Sequence, residues 1–160
     1  MLAIIWHSRT GAAQAMAEAA RQGAACGAIA VRMLPAEQAS PADCLSARGF
    51  LFVCPENLGA LSGEMKAFFD RCYYPLLGAI EGRAYATAIA AGTAGHGAQA
   101  QIDRIVTGWR LRRVAPPCLV LTGADRAESI LAPKVLPHNA VQKCHELGRL
   151  LAAGLEMGAF

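Results

Sequence analysis

The sequence predicts a single doubly wound α/β domain, a parallel sheet with helices on both faces. Three observations predict it. Strand-like, largely apolar stretches recur five times, the first of them a short continuous apolar run of the kind buried on both faces. Between them lie stretches with helical spacing of apolar residues or with helix-start chemistry. The chain is 160 residues long with no linker, internal repeat or low-complexity segment, which is one domain's length. Strand and helix in strict alternation leave a parallel sheet with right-handed crossovers as the simplest arrangement.

LAIIW (2–6) is the first strand. Residues 11–22 are alanine-rich and helix-forming, and Gly23 is read as their stop. AIAVRML (28–34) is the second strand. Ser40-Pro41-Ala42-Asp43 places a hydroxyl cap, a proline at the first helical position and an acid three residues on, so a short helix runs to about Arg48. GFLFVC (49–54) is the third strand. Ser62 is a candidate cap for a helix whose Met65, Phe68, Phe69 and Cys72 share one face. RAYATAIAA (83–91) is the fourth strand, and Ile102, Ile105, Val106 and Trp109 repeat the helical stripe after it. CLVLT (118–122) is the fifth, following a Pro116-Pro117 break. Pro137-His138-Asn139 opens a last helix carrying Val141, Cys144, Leu151 and Leu155.

Composition excludes several function classes. The longest wholly apolar run is about six residues, whereas a membrane span needs about 20. Net charge is +3, and the one dense basic stretch, Arg110, Arg112 and Arg113, is short and lacks interleaved aromatics. It reads as a solvated helix end, so neither nucleic acid nor membrane is expected as a partner. The amino terminus MLAIIWHSRTG has no basic region leading a long apolar one, and the expected home is the cytoplasm. Of the six cysteines no two are closer than ten residues, which excludes CxxC redox and zinc spacing; they are read as reduced thiols, Cys54 and Cys118 as small core residues.

In such sheets, ligands bind outside the carboxyl ends of the strands. Three glycine-bearing loops leave those ends. The first is His7-Ser8-Arg9-Thr10-Gly11-Ala12-Ala13-Gln14, running straight into a helix. Free N–H groups and the helix dipole favour an anion there, and Ser8 and Thr10 offer hydroxyls to phosphate. A turn capped by Thr10 is the plainer alternative, and the small residues through Ala13 favour phosphate. No Gly-Lys-Ser/Thr makes it a Walker loop, and no cysteine makes it a phosphatase loop.

The second loop is Pro55-Glu56-Asn57-Leu58-Gly59-Ala60, continuing to Gly63. A flat apolar ligand with polar edges suits it, and so does a capped turn whose leucines finish the core. The third is Gly92-Thr93-Ala94-Gly95-His96-Gly97. Residues 95–100 match a relaxed dinucleotide fingerprint, but on the fourth strand and without an acid to hold a ribose. Three glycines in six residues read instead as backbone passing close to a ligand, with His96 either beside that ligand or in solvent. No hydrolytic set assembles: Ser8 lacks a nucleophile elbow, His7 leaves the strand on the opposite face, and Cys144 and His145 lie about 100° apart on a helix. Glu56 is the only acid in these loops. So sparse a set of side chains fits chemistry supplied by a cofactor.

At these loops the sequence resembles the flavodoxin-like superfamily, closest to its NAD(P)H-dependent FMN oxidoreductase and quinone reductase branch. IIWHSRTGAAQAMAEAA (4–20) resembles the flavodoxin phosphate signature, with Ala13 where threonine is frequent. PENLGALSGEMKAFFDR (55–71) resembles the reductases' Pro-x-x-x-Gly…Ser-Gly-x-x-Lys-x-Phe-x-Asp-Arg segment, whose loop holds the isoalloxazine. The resemblance implies a five-stranded sheet of order 2-1-3-4-5. It places FMN phosphate on Ser8 through Ala13, and the ring on Pro55 through Ala60 and on Gly92 through Gly97. It further implies a homo-oligomer, NAD(P)H as reductant and a quinone or similar small-molecule electron acceptor.

Two function classes remain open at this point: that enzyme, and a flavodoxin-type electron carrier, with a flavin-free relative as a third because of Ala12-Ala13. Electron-transfer flavodoxins are strongly acidic and sandwich the ring between aromatics. This chain is +3, and neither ring loop holds Trp, Tyr or Phe. That contrast favours the enzyme.

Overall fold

Alanine and aromatic residues divide the two faces of the central sheet between them. The sheet is drawn from a computed structural model that describes residues 1–160. Its strands are β1 (Leu2–Trp6), β2 (Val31–Pro35), β3 (Gly49–Asn57), β4 (Ala60–Leu61), β5 (Ala84–Ala91), β6 (Arg112–Arg113) and β7 (Cys118–Leu121). They run in the order β2-β1-β3-β5, and both β6 and β7 pair with the far edge of β5. All pairings are parallel except that of β4 with the end of β3. Counting the five principal strands alone, this is the order 2-1-3-4-5. Chain order reverses between β1 and β3, so a crevice opens at their carboxyl ends.

The helices are α1 (Ala12–Ala24), α2 (Pro41–Ser46), α3 (Gly63–Leu76), α4 (His96–Gly108), α5 (Ala127–Leu131) and α6 (His138–Met157). One face of the sheet is covered by α1 and α6. Its core is largely alanine: Ala12, Ala13, Ala17 and Ala20 from α1 meet Ala84, Ala86, Ala88 and Ala90 of β5. Small side chains let these helices lie close. The opposite face, under α2, α3 and α4, is aromatic, with Phe50, Phe52, Phe68, Phe69, Tyr85 and Trp109 in one cluster. Phe52 and Phe69 have ring centroids 5.2 Å apart, and Trp109 Nε1 donates to the Tyr73 carbonyl at 2.9 Å. Such tilted ring pairs add about 0.5–1.5 kcal/mol beyond area burial. Thirteen of the 34 alanines pack in the core on the α1 and α6 side, while aromatic bulk is concentrated on the other.

Several local expectations are corrected by what the backbone groups bond to. The chain passes through Gly23 as helix to Ala24, because Gly23 is a gap against α6 rather than a stop. β2 begins at Val31 rather than Ala28, since the Ile29 N–H donates to Glu156 Oε1 at 2.7 Å instead of joining a ladder. At α2 the anticipated reciprocal cap forms: the Asp43 N–H donates to Ser40 Oγ and the Ser40 N–H to Asp43 Oδ2. The Ser40 hydroxyl also holds the Asp43 carboxyl below its ordinary range. Arg112 and Arg113 form a strand rather than a solvated helix end, with the Arg113 guanidinium paired to Asp103 and 5.1 Å from the Tyr85 ring centre. α5 had no periodic signal and was not anticipated. All six thiols are free, and burial pushes the Cys54 thiol up to about 12. No helix is long and apolar enough to cross a membrane.

Candidate functional site

The carboxyl ends of β1, β3, β5 and β7 surround one cleft, with a free volume of about 470 Å³ including its mouth. From the β1 loop it is lined by Ser8, Arg9, Thr10, Ala12 and Ala13. Gly11 is the N-cap of α1, with φ at +95°, where a side chain would be strained, so glycine rather than Thr10 makes the turn. The Gly11 N–H donates to Ser8 Oγ at 3.1 Å. The next N–H groups, in the first turn of α1, have no intrahelical acceptors. Two hydroxyls, a ring of N–H donors, a helix dipole and the small side chains of Ala12 and Ala13 fit a phosphate.

β3 runs three residues further than its apolar stretch and folds back through β4, so the second loop is a tight hairpin. Its two central residues, Leu58 and Gly59, have φ of +52° and +73°, the pattern of the primed turns that suit hairpin twist. Pro55, Glu56 and Asn57 line the cleft. Leu58 stands fully exposed at the hairpin tip, and neither Gly59 nor Ala60 reaches the lining. The Ser62 hydroxyl does not cap α3. It bonds His7 Nδ1 at 2.9 Å, and His7 Nε2 lies 3.3 Å from Glu64 Oε2, which pins the end of β1 to the start of α3. Ser62 is fully buried and faces no ligand space, so this is bracing rather than nucleophilic chemistry.

From the third loop Gly92 lines the cleft, Thr93 and Ala94 are exposed between it and α4, and Gly95, His96 and Gly97 form the start of that helix. The glycines there serve the protein's own backbone. A Cβ on Gly97 would stand 2.0 Å from the Gly59 carbonyl oxygen, and one on Gly92 would stand 2.2 Å from that of Ala124. Gly95 is the left-handed cap of α4, and His96 is exposed. The Glu56 carboxylate accepts from the Gly95 N–H and the Ala98 N–H, each at 2.9 Å. It therefore caps α4 and staples the second loop to the third.

Residue reading missed part of the wall. Ala90 and Ala91 close the end of β5, and Thr122, Ala124, Ile130 and Lys134 come from a fourth loop after β7. Thr122-Gly123-Ala124 follows a strand end as the other three loops do, and the same rule applied to it finds it. Ile130 and Lys134 have no local signal, because only the fold of 125–137 brings them to the cleft.

Comparison with known proteins follows the same lines. The family model described as NADPH-dependent FMN reductase matches residues 38–125, more than half of the chain. A flavodoxin of Aquifex aeolicus (strain VF5) is 36% identical over 81 residues, covering 50% of this chain and 44% of that protein. The chain thus spans less than half the length of that curated relative. Among solved structures, a flavodoxin from the domain Archaea superposes with a TM-score of 0.77 at 18% identity, over 98% of this chain and 99% of that one. A flavodoxin, WrbA-like protein from Agrobacterium tumefaciens gives 0.77 at 14% identity, over 98% and 97%. At such identities these structures establish the fold. The cleft, the sheet order and the matched segment agree, and the chain belongs to the NADPH-dependent FMN reductase family as an FMN-binding flavoprotein of flavodoxin-like fold.

Proposed function

We propose that this protein is an oxidoreductase that takes hydride from NAD(P)H through FMN and passes it to a quinone or similar small acceptor. The observation that carries the reading is the lining of the cleft, which contains no Trp, Tyr or Phe. Where a flavodoxin covers its ring with aromatics, this chain offers Pro55, Asn57, Gly92, Ala124 and Ile130. Hydride transfer needs a nicotinamide stacked on the ring with reacting atoms about 3–3.5 Å apart, and an open face admits it. The charge of +3 also departs from the acidic surface of an electron carrier.

FMN, when bound, supplies the two-electron chemistry. The chain's own residues bind and orient. Ser8, Thr10 and the first-turn N–H groups of α1 hold the phosphate, and Arg9 adds positive charge at that end. Pro55 through Asn57 and the Gly92 strand end would form the walls for the ring. Loop N–H groups and the Asn57 amide would offer hydrogen-bond donors to the polar edge of the ring. A cytoplasmic home and a homo-oligomer belong to the same proposal.

Anaerobic stopped-flow mixing of the FMN-loaded protein with NADH or NADPH tests it. Flavin absorbance should bleach at least ten-fold faster than that of free FMN with one of the two nucleotides, and added quinone should restore it. Bleaching no faster than free FMN with either nucleotide would transfer the protein to the electron-carrier reading, which its similarity to the Aquifex flavodoxin favours.

A further inference from the structure

Lys134 joins the lining at the phosphate end of the cleft from outside both the β1 loop and the family-matched segment 38–125. Its own main chain ties it there. The Lys134 N–H donates to the Thr10 carbonyl at 2.8 Å, and its carbonyl oxygen would lie 3.6 Å from a Cβ on Gly11. Its ammonium donates to the carbonyls of Ile130, at 3.0 Å, and Ala132 at the end of α5. An ammonium has three N–H donors and no acceptor, so one donor remains. The single carboxylate in the lining, Glu56, is already committed to the N–H groups of α4. The two cationic residues of the lining, Arg9 and Lys134, form no ion pair, and the phosphate turn beside them has Ala12 and Ala13 in place of further hydroxyls.

We propose that Lys134 is a specificity-determining residue for the phosphate: its ammonium, steadied by the α5 carbonyls, makes the cleft select FMN over riboflavin. The inference rests on the FMN reading above. A lysine here acts as a compact point charge, unlike the neutral hydroxyl and N–H donors of the turn. A phosphate monoester carries about −1.5 to −2 at pH 7, so the gain is electrostatic and salt-sensitive.

The test is a titration of wild type, Lys134→Gln, Lys134→Met and Lys134→Arg with FMN, riboflavin and NADP⁺, at low and high salt, alongside urea midpoints. Lys134→Gln and Lys134→Met should lose roughly 10- to 100-fold in FMN affinity with riboflavin affinity unchanged, as for loss of a hydrogen bond to a charged group. Their FMN affinity should depend less on salt, and Lys134→Arg should recover most of it. Unchanged FMN affinity, equal losses for FMN and riboflavin, or a loss confined to NADP⁺ would each overturn the proposal while the FMN reading stands. Wild type that binds neither flavin would remove both.

Discussion

Gly148→Ala should destabilise the protein by about 2 kcal/mol or more, even though alanine in a helix interior ordinarily gains about 1 kcal/mol over glycine. Gly148 lies in α6 against α1, and an added Cβ would stand 1.9 Å from the Ala20 carbonyl oxygen and 2.6 Å from its carbon. Both atoms are main chain and cannot rotate away. The contact is reciprocal, since a Cβ on Gly23 of α1 would stand 1.9 Å from the His145 carbonyl oxygen. Relief requires the two helices to part, which loosens Ala13, Met16, Ala17, Leu151 and Ala152 together. At this chain length the loss corresponds to roughly 4–8 °C in Tm. Gly63→Ala is the control, because a Cβ there meets nothing within 4 Å. Urea midpoints of the two variants should fall on opposite sides of wild type or leave Gly63→Ala unchanged. A Gly148→Ala midpoint equal to wild type would contradict the close packing of α1 and α6.

Glu56→Ala should cost about 2 kcal/mol of stability and roughly ten-fold in FMN affinity. Each N–H that the carboxylate serves, Gly95 and Ala98, is at the start of α4, where helix geometry provides no other acceptor. Losing a cap costs about 1 kcal/mol, and stranding donors that bonded a charge adds to it. The affinity loss follows because the same side chain holds the hairpin wall of the cleft against α4. Glu56→Gln keeps a carbonyl acceptor for one N–H and should recover about half of each effect. Urea midpoints and flavin titration read both, and an unchanged midpoint in Glu56→Ala would show that the staple carries no stability.

Much of this architecture was legible in the residues, because burial and periodicity are local. β1 and the first six residues of β3 are continuous apolar runs, and Ser40 with Asp43 fixes the start of α2 by chemistry that four residues contain. Gly23 shows where local reading stops. A glycine near the end of a helical stretch looks like a terminator, and only the approach of His145, over 100 residues away, reveals it as a packing gap. The loops divide in the same way. Ser8 and Thr10 carry their hydroxyls in an evident anion-binding setting, whereas the third loop's glycines also answer to the fold: Gly92 lines the cleft yet clears the Ala124 carbonyl, Gly97 clears that of Gly59, and Gly95 is the left-handed cap of α4. Glu56 stood out as the one acid, but its partners at Gly95 and Ala98 come from folding. Ile130 and Lys134 were invisible because they reach the cleft only after β7 and α5 are in place.

The central claim is that the loops at the carboxyl edge of the sheet form the FMN site. Backbone amide resonances followed while FMN is titrated into the labelled protein test it most directly. The perturbed amides should be those of Ser8 through Gln14, Glu56 through Leu58, Gly92 and Thr93, and Thr122 through Asp125. A second, open cavity lies at the amino ends of β3 and β5, lined by Leu45 through Arg48 and Glu81 through Arg83. Saturable shifts concentrated there, or no saturable shifts at all, would contradict the account.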